Sequence, residues 1–140
     1  MELHHEGLKG SQRGTKEGIE CIGAAVIGAA LKVHSKLGPG LLESVYEECM
    51  CRELSLRGIH FERQVPVPIF YEGIALAAGL RLDLLVEKAI VVELKAVDKL
   101  APIHEAQLLT YLRLTGKRLG LMFNFNVAHL RDGGIRRKIV

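Results

Sequence analysis

The chain has 140 residues, of which 49% are hydrophobic and 25% charged, and its formal net charge is +3. That length and mix suit one globular domain, which buries roughly two-thirds of its unfolded surface and needs no staples. Aromatic residues are 5% and tryptophan is absent, which excludes a long base-stacking platform, while the weak positive charge allows a polyanionic partner without demanding one.

Three cysteines, Cys21, Cys49 and Cys51, form no CxxC pair. Their odd number argues against a disulfide framework and against a zinc site. They are too few for an iron–sulfur cluster within one chain, so they read as small buried hydrophobes.

Residues 1–14 are poor in apolar side chains and read as a flexible leader. His4 and His5 sit side by side there, an arrangement that seldom holds a metal alone. The polar start is no signal peptide. The run "IGAAVIGAAL" is too short to span a bilayer and is followed by Lys32, His34 and Lys36. The expectation is a cytoplasmic chain with no membrane partner.

From Thr15 to Leu37, Ile19, Ile22, Val26, Ala30 and Val33 recur at helical spacing, and Gly38 and Pro39 stop the helix. A second helix is expected from about Leu41 to Arg57, closed by Gly58. The period then changes. "IHFERQVPVPIFYEG" predicts one strand with Phe61, Val65, Val67 and Ile69 on one face. Pro66 and Pro68 lack amide donors, so that strand should lie at an edge or carry a bulge. Two apolar strands follow, from about Gly79 to Val86 and from Ile90 to Ala96. A third helix runs from Pro102 to Gly116, then the strand "LGLMFNF" and a short strand "IRRKIV". The order α, α, β, β, β, α, β, β predicts a mixed α/β domain. An exposed strand edge in so apolar a chain also suggests a homodimer.

Three charges interrupt the apolar strands: Asp83, Glu93 and Lys95. Buried charges are costly unless paired or bound to a metal. Glu93 and Lys95 are two apart and share a face. If the hairpin pivots on Lys88, Asp83 stands opposite Glu93; a two-residue turn would send it to the other face. Carboxylates that meet repel each other, and Mg²⁺ or Mn²⁺ resolves the repulsion. A neighbouring lysine can hold a water or neutralise developing charge. The spacing also arises by chance, and on an exposed face it would be solvated charge and an ordinary cross-strand pair.

Two further groups bear on the choice. In "GPGLLESVYEE", Glu43 opens the second helix, where a carboxylate favours the dipole, and Tyr46 and Glu47 follow on the same face. A capping acid and a half-buried tyrosine would explain this equally. In "HEAQLLTYL", Gln107 and Tyr111 are four apart on one helix face. Ordinary helix-surface polarity is the competing explanation, and His104 nearby reads as solvated or locally bonded.

Together these residues resemble the GxxExxY family, a branch of the PD-(D/E)XK nuclease-like superfamily, from about residue 16 onward. The naming motif matches Gly40, Glu43 and Tyr46, the core motif matches Asp83 with Glu93-Leu94-Lys95, and a QxxxY element matches Gln107 and Tyr111. The resemblance implies a restriction-endonuclease-like fold, a mixed four- to five-stranded sheet flanked by helices. It also implies metal-dependent hydrolysis of nucleic acid, with DNA the expected substrate. Asp83 and Glu93 would ligate Mg²⁺ or Mn²⁺, Glu43 would reach the metal directly or through water, and the Leu94 carbonyl would complete the set. Lys95 would orient the attacking water. Tyr46, Gln107 and Tyr111 would touch the substrate or brace the site from behind. The alternative is an inactive nuclease-fold protein that binds nucleic acid or protein; the intact Asp–Glu–Lys set weighs against it.

Overall fold

A computed structural model describes residues 14–140. The expected leader therefore lies, but for Gly14, outside the described residues. Helix α1 spans Lys16–Leu37, and Thr15 caps it by accepting a hydrogen bond from the Gly18 N–H at 2.9 Å. Helix α2 spans Glu43–Leu56. Then come β1 (Phe61–Val67), β2 (Phe70–Tyr71), β3 (Ile74–Ala75), β4 (Leu80–Val86) and β5 (Ile90–Lys95). Helix α3 (Pro102–Thr115) leads to β6 (Leu119–Asn124) and β7 (Ile135–Ile139).

Five strands form one sheet in the order β1-β4-β5-β6-β7, antiparallel throughout except for the parallel pair β5–β6. A parallel pair needs a crossover, and α3 supplies it. The architecture is thus the mixed sheet flanked by helices that the resemblance implied.

Two cores result. Ile22, Val26 and Ala30 of α1 and Met50 and Leu54 of α2 pack against Leu84, Val92, Leu121 and Phe123 on one face. Leu108 and Leu112 of α3 pack against Leu82, Val91 and Met122 on the other. Each of these larger side chains stabilises the fold by roughly 1.5–3 kcal/mol, and the Ala30 methyl by less. Helix α3 lies close because residue 120 is glycine: a Cβ there would stand 2.8 Å from Leu108 Cδ1. By length and composition α1 could cross a bilayer, but its apolar face is covered by the sheet and α2.

Three expectations need correction. The segment read as one long strand is two elements: β1 ends at Val67, and β2 and β3 form a separate two-stranded ribbon. Nor do its apolar residues share a face. Phe61 joins the α1–α2 core, whereas Val65 and Val67 join the α3 core. The irregularity lies at Gln64, with φ 52, and not at the prolines. The strand is at the sheet edge as expected. Finally, Cys51 is buried and Cys49 half-buried, but Cys21 lies exposed on α1.

Candidate active site

Strands β4 and β5 pair as Val86 with Ile90, Leu85 with Val91 and Leu84 with Val92. The turn between them holds three residues, with Glu87 and Lys88 at φ 52 and 54. The hairpin therefore pivots on Lys88, the register that sets Asp83 opposite Glu93. Regular pairing stops just before that position. In its place the Asp83 N–H donates to Glu93 Oε2 at 3.0 Å, and the Leu94 N–H donates to Asp83 Oδ2 at 2.8 Å. Each carboxylate takes a main-chain donor from the opposite strand, so the ladder ends in a reciprocal clasp.

The same position is irregular on the other side of β4. Arg63 pairs with Leu84 and Val65 with Leu82, but Gln64, across from Asp83, makes no ladder pair. Both strands change faces there: Leu82 belongs to the α3 core and Leu84 to the α1–α2 core. Asp83 thus sits where the sheet crosses from one core to the other.

Burial costs a carboxylate its hydration, which favours the protonated form. Glu93 is 4% exposed. Burial, then the neighbouring Asp83 charge, pushes its carboxyl up to about 8. Asp83 is raised by burial, with the charges of Glu47 and Glu43 adding to it; the Leu94 N–H and Lys95 oppose the rise. Tyr111 on α3 is raised by burial and then by the charges of Glu93 and Asp83. Glu43, Glu47, Lys95 and Tyr111 therefore all lie within the electrostatic reach of the clasp.

Lys95 shares the Glu93 face, and no hydrogen bond or ion pair of its ammonium with a described residue occurs. Its main chain is well fixed: Lys95 O accepts from the Phe125 N–H at 2.9 Å. Alongside it in register is Asn124, wholly buried. The Asn124 side chain accepts from the Val97 N–H at 3.0 Å and donates to the Val97 carbonyl at 2.9 Å, holding the chain that leaves β5.

The start of α2 explains the spacing of Gly40, Glu43 and Tyr46. Gly40 adopts φ 100, a conformation open chiefly to glycine. The Tyr46 hydroxyl donates to the Gly38 carbonyl at 2.6 Å and accepts from the Leu41 N–H at 3.2 Å. Its ring stacks on Phe125, with centroids 4.5 Å apart and planes at 8°. Tyr46 is wholly buried. Of the two roles expected of it, its position permits bracing and not contact with substrate. What it braces is the turn that delivers Glu43, which is itself exposed.

Other expected residues are less engaged. No group of three or more His, Cys, Asp or Glu side chains converges to hold a metal among the described residues, so Glu43 does not join Asp83 and Glu93 at ligand distance. Leu94 contributes its N–H to the clasp. Gln107 is half-buried, one turn before Tyr111, without a hydrogen bond to a described residue. His104 bonds locally, its Nδ1 accepting from the Ala101 N–H.

Glu47 was the residue that sequence reasoning undervalued. It is buried, and its carboxylate accepts from Arg63 Nε at 3.0 Å and from Gln64 Nε2 at 2.7 Å. Its four-residue spacing from Glu43 was the available signal. Nothing in the sequence marked its partners on β1.

A family model of the PD-(D/E)XK nuclease superfamily matches residues 20–138. The chain belongs to that superfamily. No curated protein and no solved structure matches it. Superfamily members generally use divalent metal ions, and the clasp suits one in a specific way. One oxygen of each carboxylate is taken by a main-chain N–H, while Asp83 Oδ1 and Glu93 Oε1 have no partner among the described residues. No buried side-chain oxygen or nitrogen is without a partner there, so these two oxygens keep some contact with solvent. Two carboxylates completed by water and substrate phosphate are the usual protein share of a Mg²⁺ site.

Proposed function

We propose that the protein is a metal-dependent nuclease of the GxxExxY branch, hydrolysing phosphodiester bonds of DNA with Mg²⁺ or Mn²⁺. The observation that carries the reading is the Asp83–Glu93 clasp, with two free carboxylate oxygens and an unengaged lysine on the same face. A purely structural pair would have its charge met from within the protein. Here burial and then the neighbouring Asp83 charge push the Glu93 carboxyl up to about 8, and the Asp83 N–H and Lys95 only partly oppose the rise.

The residues divide the chemistry. Asp83 and Glu93 would hold the ion, with Glu43 reaching it directly or through water. When bound, the ion lowers the pKa of its water and polarises the phosphoryl oxygen. Lys95 orients the attacking water and offsets the charge gathering on phosphorus. Tyr111 and Gln107, along one side of α3, contact the nucleic-acid backbone. Glu47 keeps its Arg63 and Gln64 partners and fixes the edge strand beside Asp83.

The test is incubation of purified protein with Mn²⁺ or Mg²⁺ and a panel of labelled DNA and RNA, single- and double-stranded, beside calorimetric metal titration of wild type and Asp83→Ala. Metal-dependent cleavage, with metal binding weakened by Asp83→Ala, is the expected result. Neither metal binding nor cleavage in the wild type would leave a binding module as the better reading.

A further inference from the structure

The β2–β3 ribbon has no part in either core. Phe70 is 66% exposed, Tyr71 70% and Ile74 66%. A two-stranded hairpin alone in water is marginal, and one that leaves its large apolar groups uncovered calls for an occupant.

Its geometry narrows the choice. Phe70 stands opposite Ala75, and Tyr71 opposite Ile74. Opposed residues share a face and neighbours alternate. One face therefore carries Phe70 with a small methyl, and the other carries Tyr71 with an aliphatic group. A docking patch for a folded protein would concentrate apolar area on one side. A thin ribbon with one ring on each side suits insertion between flat groups.

Its position narrows the choice further. The ribbon leaves the sheet after Val67 and returns at Leu80, which pair with each other. Asp83 lies three residues along β4 from Leu80, or about 10 Å at the usual strand rise. Between the two stands Arg81, which donates to the Gln64 carbonyl at 3.2 Å. From Arg63 to Arg81 the only acidic residue is Glu72, at the ribbon turn. An apolar wedge, the Arg81 guanidinium and the Asp83–Glu93 clasp thus follow one another along the same pair of strands, while Arg63 lies past the clasp, paired with Leu84 and held by Glu47.

We propose that the β2–β3 ribbon is a nucleic-acid contact that stacks Phe70 and Tyr71 on unpaired bases, making single-stranded or frayed nucleic acid the preferred substrate class. This deepens the nuclease reading and rests on it. Two rings form no extended platform, but every base offers a stacking face and each such contact is individually substantial. Apolar side chains elsewhere wedge between bases in this way, at the cost of unstacking them; an unpaired base is already partly unstacked. The exposed Arg81 guanidinium attracts the backbone that follows.

The experiment uses the full chain with Ca²⁺ in place of Mg²⁺ and fluorescein-labelled oligonucleotides: a single strand, a blunt duplex and a duplex with a single-stranded tail. Anisotropy should show the Phe70→Ala/Tyr71→Ala variant losing roughly tenfold or more in affinity for the single strand and the tail, and little for the blunt duplex. Phe70→Trp places the sole tryptophan in a chain that has none, and its emission should be quenched on adding the single strand. Unchanged single-strand affinity in the double variant, while the wild type binds and cuts, would overturn the ribbon proposal and spare the nuclease reading. So would a variant that changes from dimer to monomer by light scattering and keeps its affinity, because the ribbon would then serve a second copy of the chain. A wild type that neither binds nor cuts any of the oligonucleotides removes both.

Discussion

Strands β5 and β6 pair at every position from Ile90 to Lys95, and β6 continues the ladder into β7. Strands β1 and β4 lose their pair at Gln64 and Asp83 and change faces there. The uninterrupted half holds wholly buried residues such as Leu121 and Phe123. The interrupted half places charge and exposed rings along its edge. A ladder takes up the backbone donors that face the partner strand. Where β4–β5 pairing stops at Leu84 and Val92, the N–H groups of Asp83 and Leu94 turn to carboxylates instead. The irregularity that would weaken a scaffold is what creates the site.

The contrast can be broken most severely at its chemical end. Lys95→Ala should lower cleavage by roughly two to four orders of magnitude. Metal binding should survive, because a nearby positive charge has been removed. Glu93→Ala should lose both cleavage and metal affinity. Calorimetry beside a cleavage assay separates these outcomes, and full activity in Lys95→Ala would end the catalytic assignment.

In the uninterrupted half the matching loss is of stability. Phe123→Ala should cost about 3–5 kcal/mol, the usual scale for emptying an aromatic core position. Chemical denaturation measures it, and a cost no greater than that of a surface change would show that this half is not the scaffold.

A pH series sharpens the difference. The folded protein holds the Glu93 proton up to about 8, against an ordinary value of 4.5. Between those values the native state binds more protons than the unfolded chain, so this group makes stability fall as pH rises. The raised Asp83 adds in the same direction. Glu93→Gln should flatten the slope, and Mg²⁺ should stabilise the wild type more at the upper end of the range than at the lower. A wild-type curve without that slope would refute the burial account.

Smaller effects are expected beside the site. Tyr46→Phe leaves the Gly38 carbonyl and the Leu41 amide without their hydroxyl partner and should cost about 1–3 kcal/mol. Gln107→Ala should change stability by less than about 0.5 kcal/mol, and any effect on cleavage should appear in substrate affinity. A thermal melt and a KM measurement suffice for both.

How much of this could be read from the sequence depended on distance along the chain. Asp83 and Glu93 are ten residues apart and joined by one hairpin, so a single question about the turn decided whether they meet. The α3 pair of Gln107 and Tyr111 needed only helical spacing. Glu47 reaches Arg63 and Gln64 from another element, and Asn124 reaches back to Val97. No local pattern encodes such contacts. The β2–β3 ribbon was missed because the apolar run of Ile69, Phe70 and Tyr71 follows directly on the alternation of β1, and no break in hydropathy marks where the chain leaves the sheet.

The Tyr46–Phe125 stack has a consequence for the order in which the molecule can be made. The turn bearing Glu43 leans on a ring supplied 79 positions later in the chain, and Lys95 is tied at its carbonyl to that same residue. While the polypeptide emerges from the ribosome, the hairpin carrying Asp83, Glu93 and Lys95 is out well before the residue that braces their surroundings. Assembly must wait for the parallel strand β6, the kind of distant closure that folds slowly. A partly synthesised chain thus carries Asp83, Glu93 and Lys95 without the frame that aligns them.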